Sequence, residues 1–346
     1  MSAHLDRVKH HTKSQWDRLH PHTVPDWVTE LNRTGKAGQP CFFLLDFELR
    51  KPQVFTGDLG ASRGVRFSFP GRRDPFWSTS RQPEMRPDYL PFSAFEPPFQ
   101  IVQQGLQRGD SFLTNLTFAT PVALLADGLE DVYRATRAKY RVLLPHHFVC
   151  FSPETFVTVD DHNQLETRPM KGTAPNTEEG IDHLLSNPKE VAEHATIVDL
   201  MRNDLSRVAS NVRVTDYRYV EPIESAAGGL VQTSSRIGGD LPVDWPDRLG
   251  SLLYELLPAG SVSGAPKPAT LDLIRRAEGT DRGYYCGIAG YFDGRTLDSC
   301  VLIRYLEQVD DRYLFRSGGG ITARSSAREE YEEVKAKIRL PLRKPR

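Results

Sequence analysis

Three strand-like runs follow one another near the C-terminal end, "GYYCGIAGYF", "SCVLIRYLE" and "YLFRSGGGI". The last leads through "TARSS" into "AREEYEEVKAKI", which reads as a helix. No other feature constrains the fold as much. Strands and helices mix without the regular βαβ spacing of a parallel doubly wound sheet, so an α+β arrangement with antiparallel sheets is expected.

The rest of the chain fits that class. "CFFLLDFELRKPQVF" reads as two strands around a polar turn. Residues 71–98 are rich in Pro and Arg and read as an irregular seam. Ile101, Val102 and Leu106 have helical spacing, which stops at Gly109-Asp110. "SFLTNLTFATPV" then reads as a strand, residues 131–143 as a helix, and "PKEVAEHATIVDLMRNDL" as a strong helix. "HFVCFSPETFVTV" and "QLETRPM" form an expected hairpin across "DDHN". Pairing Val159 with Gln164 would put Glu154 opposite Pro169, with Lys171 diagonal to it on the same face. A slip of one residue would separate the two faces.

The chain has 346 residues, room for roughly two domains. The expected division is a shortened N-terminal region over 1–95, packed on a catalytic domain over 96–346. A net charge of −1 argues against nucleic acid as a partner. No run of apolar residues is long enough to span a membrane, and the start lacks a signal-peptide core. Cys41, Cys150, Cys286 and Cys300 lie far apart without a C-x-x-C, which suits reduced thiols in a cytoplasmic protein. His4, His10, His11, His20 and His22 read as a mobile polar end rather than a metal tract.

Several side chains point to chemistry. Lys171 ends the strand-like "TRPMKGT" at a Gly-Thr bend, as surface charge or as an amine held for a substrate. Glu190 and Glu193 are three apart on one expected helix, and Glu330 and Glu333 three apart on another, with Lys337 one turn beyond. Two such faces across a cleft would offer oxygen ligands to a hard cation such as Mg²⁺, but by spacing alone two solvated acidic faces are the simpler reading. A di-iron bundle is disfavoured, because its Glu-x-x-His spacing is missing: His194 is four after Glu190. "SGGGI" and "AGSVSGAPK" are small-residue loops that let backbone N–H groups approach an anion, yet neither fits a nucleotide-binding pattern. Arg304 lies in an apolar run and needs a carboxylate, either internal or from a substrate. Together these features suggest a small polycarboxylate bound with a divalent ion.

In sequence order, "RGDSFLTNL", "FSPETF", "RPMKGT", "EHATIVDLMRNDL", "PAGSVSGAPK", "RGYYCGIAGYF", "VLIR", "SGGGI" and "EEYEEVKAK" resemble the chorismate-utilising enzymes over residues 97–340. That family includes component I of anthranilate synthase and of aminodeoxychorismate synthase, and the isochorismate and salicylate synthases. The resemblance implies a layered α/β/β/α core with two orthogonally packed antiparallel sheets and the site between them. Anthranilate synthases usually carry alanine before the Gly-Thr, and aminodeoxychorismate synthases carry lysine, so Lys171 makes the chain look like the latter. Isochorismate and salicylate synthases place a lysine base near the Gly-Asp turn; "GDSFLTNL" has none.

The resemblance also assigns roles. Mg²⁺ would be held by Glu193 and Glu333, with Glu190 and Glu330 in support, and would grip the ring carboxylate of chorismate. Tyr285, Arg304, Gly319, Gly320 and Lys337 match substrate-binding positions, and Thr173 sits by the ring. Lys171 would attack ring carbon 2, for which its pKa must fall by burial or a nearby cation. Glu154 would protonate the departing hydroxyl. Ammonia would come from a separate glutamine amidotransferase subunit or from solution, and the product would be 4-amino-4-deoxychorismate, a precursor of p-aminobenzoate and folate. Gln232 replaces a family histidine associated with pyruvate elimination, and Asn176 stands where many members have arginine. The Leu-Leu-Glu-Ser motif of tryptophan-regulated members is missing, so no tryptophan feedback is expected. Anthranilate synthase component I and a non-catalytic chorismate-binding partner of an amidotransferase are the alternative readings.

Overall fold

Cys41–Leu45 is apolar at every position and buried at every position, so it needs neighbours on both edges and both faces. It pairs antiparallel with Ile288–Phe292 on one side and Gln53–Thr56 on the other. In this computed structural model, which describes residues 19, 23–74, 82–222 and 229–342, these strands belong to one of two antiparallel sheets. The five N-terminal histidines lie outside the described residues. The first sheet runs Met170–Pro175, Leu230–Asp240, Gln164–Thr167, Thr155–Val159, Leu297–Val301, Ile288–Phe292, Cys41–Leu45, Gln53–Thr56, with Ser210–Pro222 added beside Leu230–Asp240. The second runs Gly264–Ala265, Leu113–Leu125, Arg312–Ile321, Tyr305–Val309, Phe148–Cys150, Arg141–Leu144, Arg66–Ser68, with Glu84–Pro87 beside Leu113–Leu125. The α+β expectation holds.

A large core joins the two sheets: Phe43, Leu45 and Ile288 from the first share one cluster with Phe148, Cys150 and Tyr305 from the second. Ile197, Val198 and Met201 of the helix Pro188–Leu205 close that cluster from outside. Phe95, Phe99 and Val102 of the helix Phe92–Gln107, with Leu273 and Val334 of two further helices, cover the second sheet. Among the described residues no helix is long and apolar enough to cross a membrane.

Several expectations are corrected. "SCVLIRYLE" is two strands rather than one: Leu297–Val301 ends in the first sheet and Tyr305–Val309 begins in the second. Arg304 is the corner between them, at φ 54°. The helix expected over residues 131–143 spans Leu129–Ala135, and the apolar Arg141–Leu144 is a strand. The seam expected over 71–98 already contains the start of the helix Phe92–Gln107, which carries Pro97 and Pro98 inside it. "SGGGI" is the end of the strand Arg312–Ile321, paired with Leu113–Leu125, rather than a loop.

The hairpin across "DDHN" forms one residue out of the expected register. Val159 pairs with Leu165 and Thr158 with Glu166. The turn dictates this. Asp160 Oδ1 accepts bonds from the His162 and Gln164 amides, and Asn163 takes the left-handed conformation at φ 61°. The ladder also stops at Thr167, and Met170–Pro175 pairs with Leu230–Asp240 instead. Lys171 therefore does not face Glu154 across a hairpin; it reaches the site from a neighbouring strand.

Candidate active site

Two helix starts aim carboxylates at one place. Pro188 and the Asn187 side chain, which accepts from the Lys189 and Glu190 amides, fix the first turn of Pro188–Leu205 and with it Glu190. Glu330 lies in the first turn of Ala327–Ala336, with Glu333 one turn on. The positive end of each helix dipole favours carboxylates there. Lys189 ties the two helices together, its ammonium 3.5 Å from Glu329 and 3.8 Å from Glu330.

Glycines clear the floor. A Cβ on Gly319 would stand 3.4 Å from Glu330 Oε2, 3.7 Å from Lys337 Nζ and 3.8 Å from Glu333 Oε1. A Cβ on Gly320 would stand 3.2 Å from Lys171 Nζ. Gly172, at φ 75°, forms a bulge where a Cβ would meet Glu190 Oε2 at 2.6 Å. Lys337, Glu330 and Glu333 thus stand by Gly319 and Lys171 by Gly320, at the end of the strand Arg312–Ile321.

The lysines stand among the carboxylates. Lys171 Nζ donates to Glu193 Oε2 at 2.8 Å, and Lys337 Nζ pairs with Glu333 Oε1 at 2.7 Å and donates to the Gly318 carbonyl at 2.7 Å. Burial alone would lower the pKa of Lys171, but Glu193, Glu333 and Glu330 outweigh it and hold the pKa above the ordinary lysine value. With these carboxylates around it the amine is a charged ion-pair partner, and the fall in pKa that attack requires would need a cation beside it. Burial lowers Lys337 in spite of Glu333. Burial raises Glu190 and Glu330, and neighbouring carboxylates add to it.

Among the described residues no three His, Cys, Asp or Glu side chains stand together as a ready metal site. The donor set nonetheless fits a hard cation. Glu193 Oε1 is buried with no hydrogen-bond partner, and Glu330 and Glu333 converge over Gly319. Glu190, Glu193, Glu330 and Glu333 are the residues that could hold such an ion.

Glu154 is held by Ser261 and feels the charges of both lysines. Burial raises its pKa; the Ser261 hydroxyl, which donates to Glu154 Oε1, and the charges of Lys337, Lys139 and Lys171 pull it down. Arg304 Nη1 donates to the Lys337 carbonyl at 3.1 Å and has no carboxylate partner among the described residues. Burial lowers its pKa, the Arg339 charge adds to that, and Glu333 opposes it. Tyr285 is buried, its ring centroid 5.7 Å from that of Tyr305. Thr173 is exposed beside the bulge and pairs with Gln232. Gln232 donates to Glu221 Oε1 at 3.0 Å and is thereby held by a carboxylate.

Ser261, Thr233 and Lys189 went unnoticed in the sequence. Thr233 donates to the Lys171 carbonyl and so fixes the backbone under the amine. Ser261 lay within the quoted "AGSVSGAPK", but nothing in the spacing pointed it at Glu154.

The sequence pattern described as chorismate binding enzyme matches residues 73–343. The chain is 45% identical over 322 residues to an uncharacterized PabA-like protein of Haemophilus influenzae, covering 92% of this chain and 98% of that one. It is 32% identical to aminodeoxychorismate synthase component 1 of Escherichia coli, covering 71% of this chain and 56% of that one. Among solved structures, anthranilate synthase component I from Streptococcus pneumoniae TIGR4 superposes with a TM-score of 0.61 at 27% identity, over 78% of this chain and 62% of that one.

Proposed function

This chain belongs to the chorismate-binding enzyme family, and on that premise we propose that it acts as an aminodeoxychorismate synthase component I, converting chorismate and ammonia to 4-amino-4-deoxychorismate. One observation carries the reading: the residue before the Gly-Thr is a lysine, and its ammonium sits among the glutamates, 2.8 Å from Glu193 and beside Gly320.

Lys171 parts from Glu193, releases a proton to solvent, and its neutral amine forms a bond to ring carbon 2. Glu154, whose pKa burial raises, donates a proton to the hydroxyl on carbon 4, which leaves as water. Ammonia then bonds at carbon 4 and the Lys171 amine departs, so the net change is chorismate plus ammonia to product plus water. Arg304, with no carboxylate hydrogen-bonded to it among the described residues, takes a substrate carboxylate, with Lys337, Tyr285 and the backbone at Gly319 and Gly320 around it. Mg²⁺ on Glu193 and Glu333, supported by Glu190 and Glu330, would supply the positive charge that holds the ring carboxylate. Gln232 is bound to Glu221 and cannot shuttle a proton as histidine does, which favours a product that retains its enolpyruvyl group. We place the reaction in p-aminobenzoate and folate synthesis, with a separate amidotransferase as the ammonia source.

The test is product identification by chromatography after incubation with chorismate, Mg²⁺ and ammonium. Aminodeoxychorismate is expected; accumulation of anthranilate would overturn the reading in favour of the sister activity.

A further inference from the structure

The segment that faces Glu154 is braced from several directions. The helical turn Gly260–Ser263 carries Ser261 toward the site. Arg282, fully buried, donates to the Val262 carbonyl at 2.7 Å and is held by Glu278 at 2.6 Å. Lys267, also buried, donates to the Leu256 carbonyl at 2.8 Å and pairs with Asp204 at 2.9 Å. Ser263 donates to the Ala259 carbonyl at 2.8 Å. A Cβ on Gly260 would meet Asp204 Oδ2 at 2.7 Å, so the turn presses against this ion pair. Nothing in the proposed chemistry uses Arg282, Lys267 or Asp204, yet together they fix where the Ser261 hydroxyl points.

We propose that Ser261 is a positioning residue for Glu154: by donating to Oε1 it makes that oxygen an acceptor and assigns the transferable proton to Oε2. A carboxyl group has one proton and two oxygens, and an oxygen that accepts a hydroxyl hydrogen at short range is the poorer place for it. Without that bond, Glu154 would rotate and share its proton between both oxygens, so only a fraction of molecules would aim it at the departing hydroxyl. The proposal rests on Glu154 acting as the acid. The other charged or titratable groups acting on Glu154 are Lys337, Lys139 and Lys171, with the buried thiol of Cys286 behind it.

The test uses the full chain with chorismate, Mg²⁺ and ammonium, measuring kcat, KM and the pH profile of Ser261→Ala, Ser261→Thr and Glu154→Gln. Ser261→Ala is expected to lose about tenfold in kcat with chorismate KM nearly unchanged. Its high-pH limb should move upward, because the lost hydrogen bond had been lowering the acid's pKa. Ser261→Thr, which keeps the hydroxyl, should restore both. A wild-type rate and pH profile in Ser261→Ala beside an inactive Glu154→Gln would overturn this proposal alone. Equal loss in the Ala and Thr variants would also overturn it, as a packing effect. Full turnover by Glu154→Gln would overturn both this and the acid role of Glu154.

Discussion

Lys171 occupies a place that a divalent cation would want. It takes Glu193 Oε2 at 2.8 Å, while Glu193 Oε1 is buried and unpartnered. Ammonium and metal therefore compete for one carboxylate, and Lys171→Met should tighten cation binding in the absence of substrate. At this separation the bare attraction is about 6 kcal/mol in an effective dielectric of about 20. Desolvation of both groups offsets much of that, since the side chains are only 21% and 11% exposed. A hydrogen bond between charged groups nets about 1.5–3 kcal/mol, which is roughly a 10- to 100-fold gain in affinity on removing the lysine. Methionine keeps the apolar stem and lacks only the terminal ammonium in reach, so the strand should be undisturbed. Calorimetric titration with Mg²⁺, or Mn²⁺ as a spectroscopic probe, reads the change directly. Unchanged or weaker binding in Lys171→Met would refute the competition.

Two further outcomes follow from the same geometry. Arg304→Ala should raise the chorismate KM about 100-fold, and Arg304→Lys should recover little of it, since an ammonium cannot match a carboxylate bidentately; steady-state kinetics decide this, and an unchanged KM would remove Arg304 from the site. Asp298, under Tyr140, has its carboxyl pushed up to about 6 by burial, against an ordinary 3.8, so the folded state binds the extra proton between those values. Stability should fall as pH rises through that window by up to about 3 kcal/mol, and Asp298→Asn should flatten the decline in denaturant titrations at pH 4 and pH 8.

What was legible in the sequence follows the range of the interactions. Glu190, Glu193, Glu330 and Glu333 could be read because helical spacing is local, and the helix Pro188–Leu205 matched its expected span. The side on which Lys171 lay could not be read from its hairpin. That depended on Asn163 turning left-handed and on Met170–Pro175 leaving the ladder for Leu230–Asp240. Arg304 looked like mid-strand because an apolar run gives no sign of where a chain passes from one sheet to another. Ser261 and Glu154 meet across 107 residues, and Lys171 and Glu193 across 22; neither contact has a signal in local periodicity.

The most direct measurement is a search for the covalent intermediate. Enzyme incubated with chorismate and Mg²⁺ but without ammonia would be quenched, digested and analysed by mass spectrometry. The peptide bearing Lys171 is expected to gain the mass of chorismate less one water, and the gain should vanish in Lys171→Ala together with product formation. An unmodified peptide, with Lys171→Ala forming aminodeoxychorismate at the wild-type rate, would contradict the account.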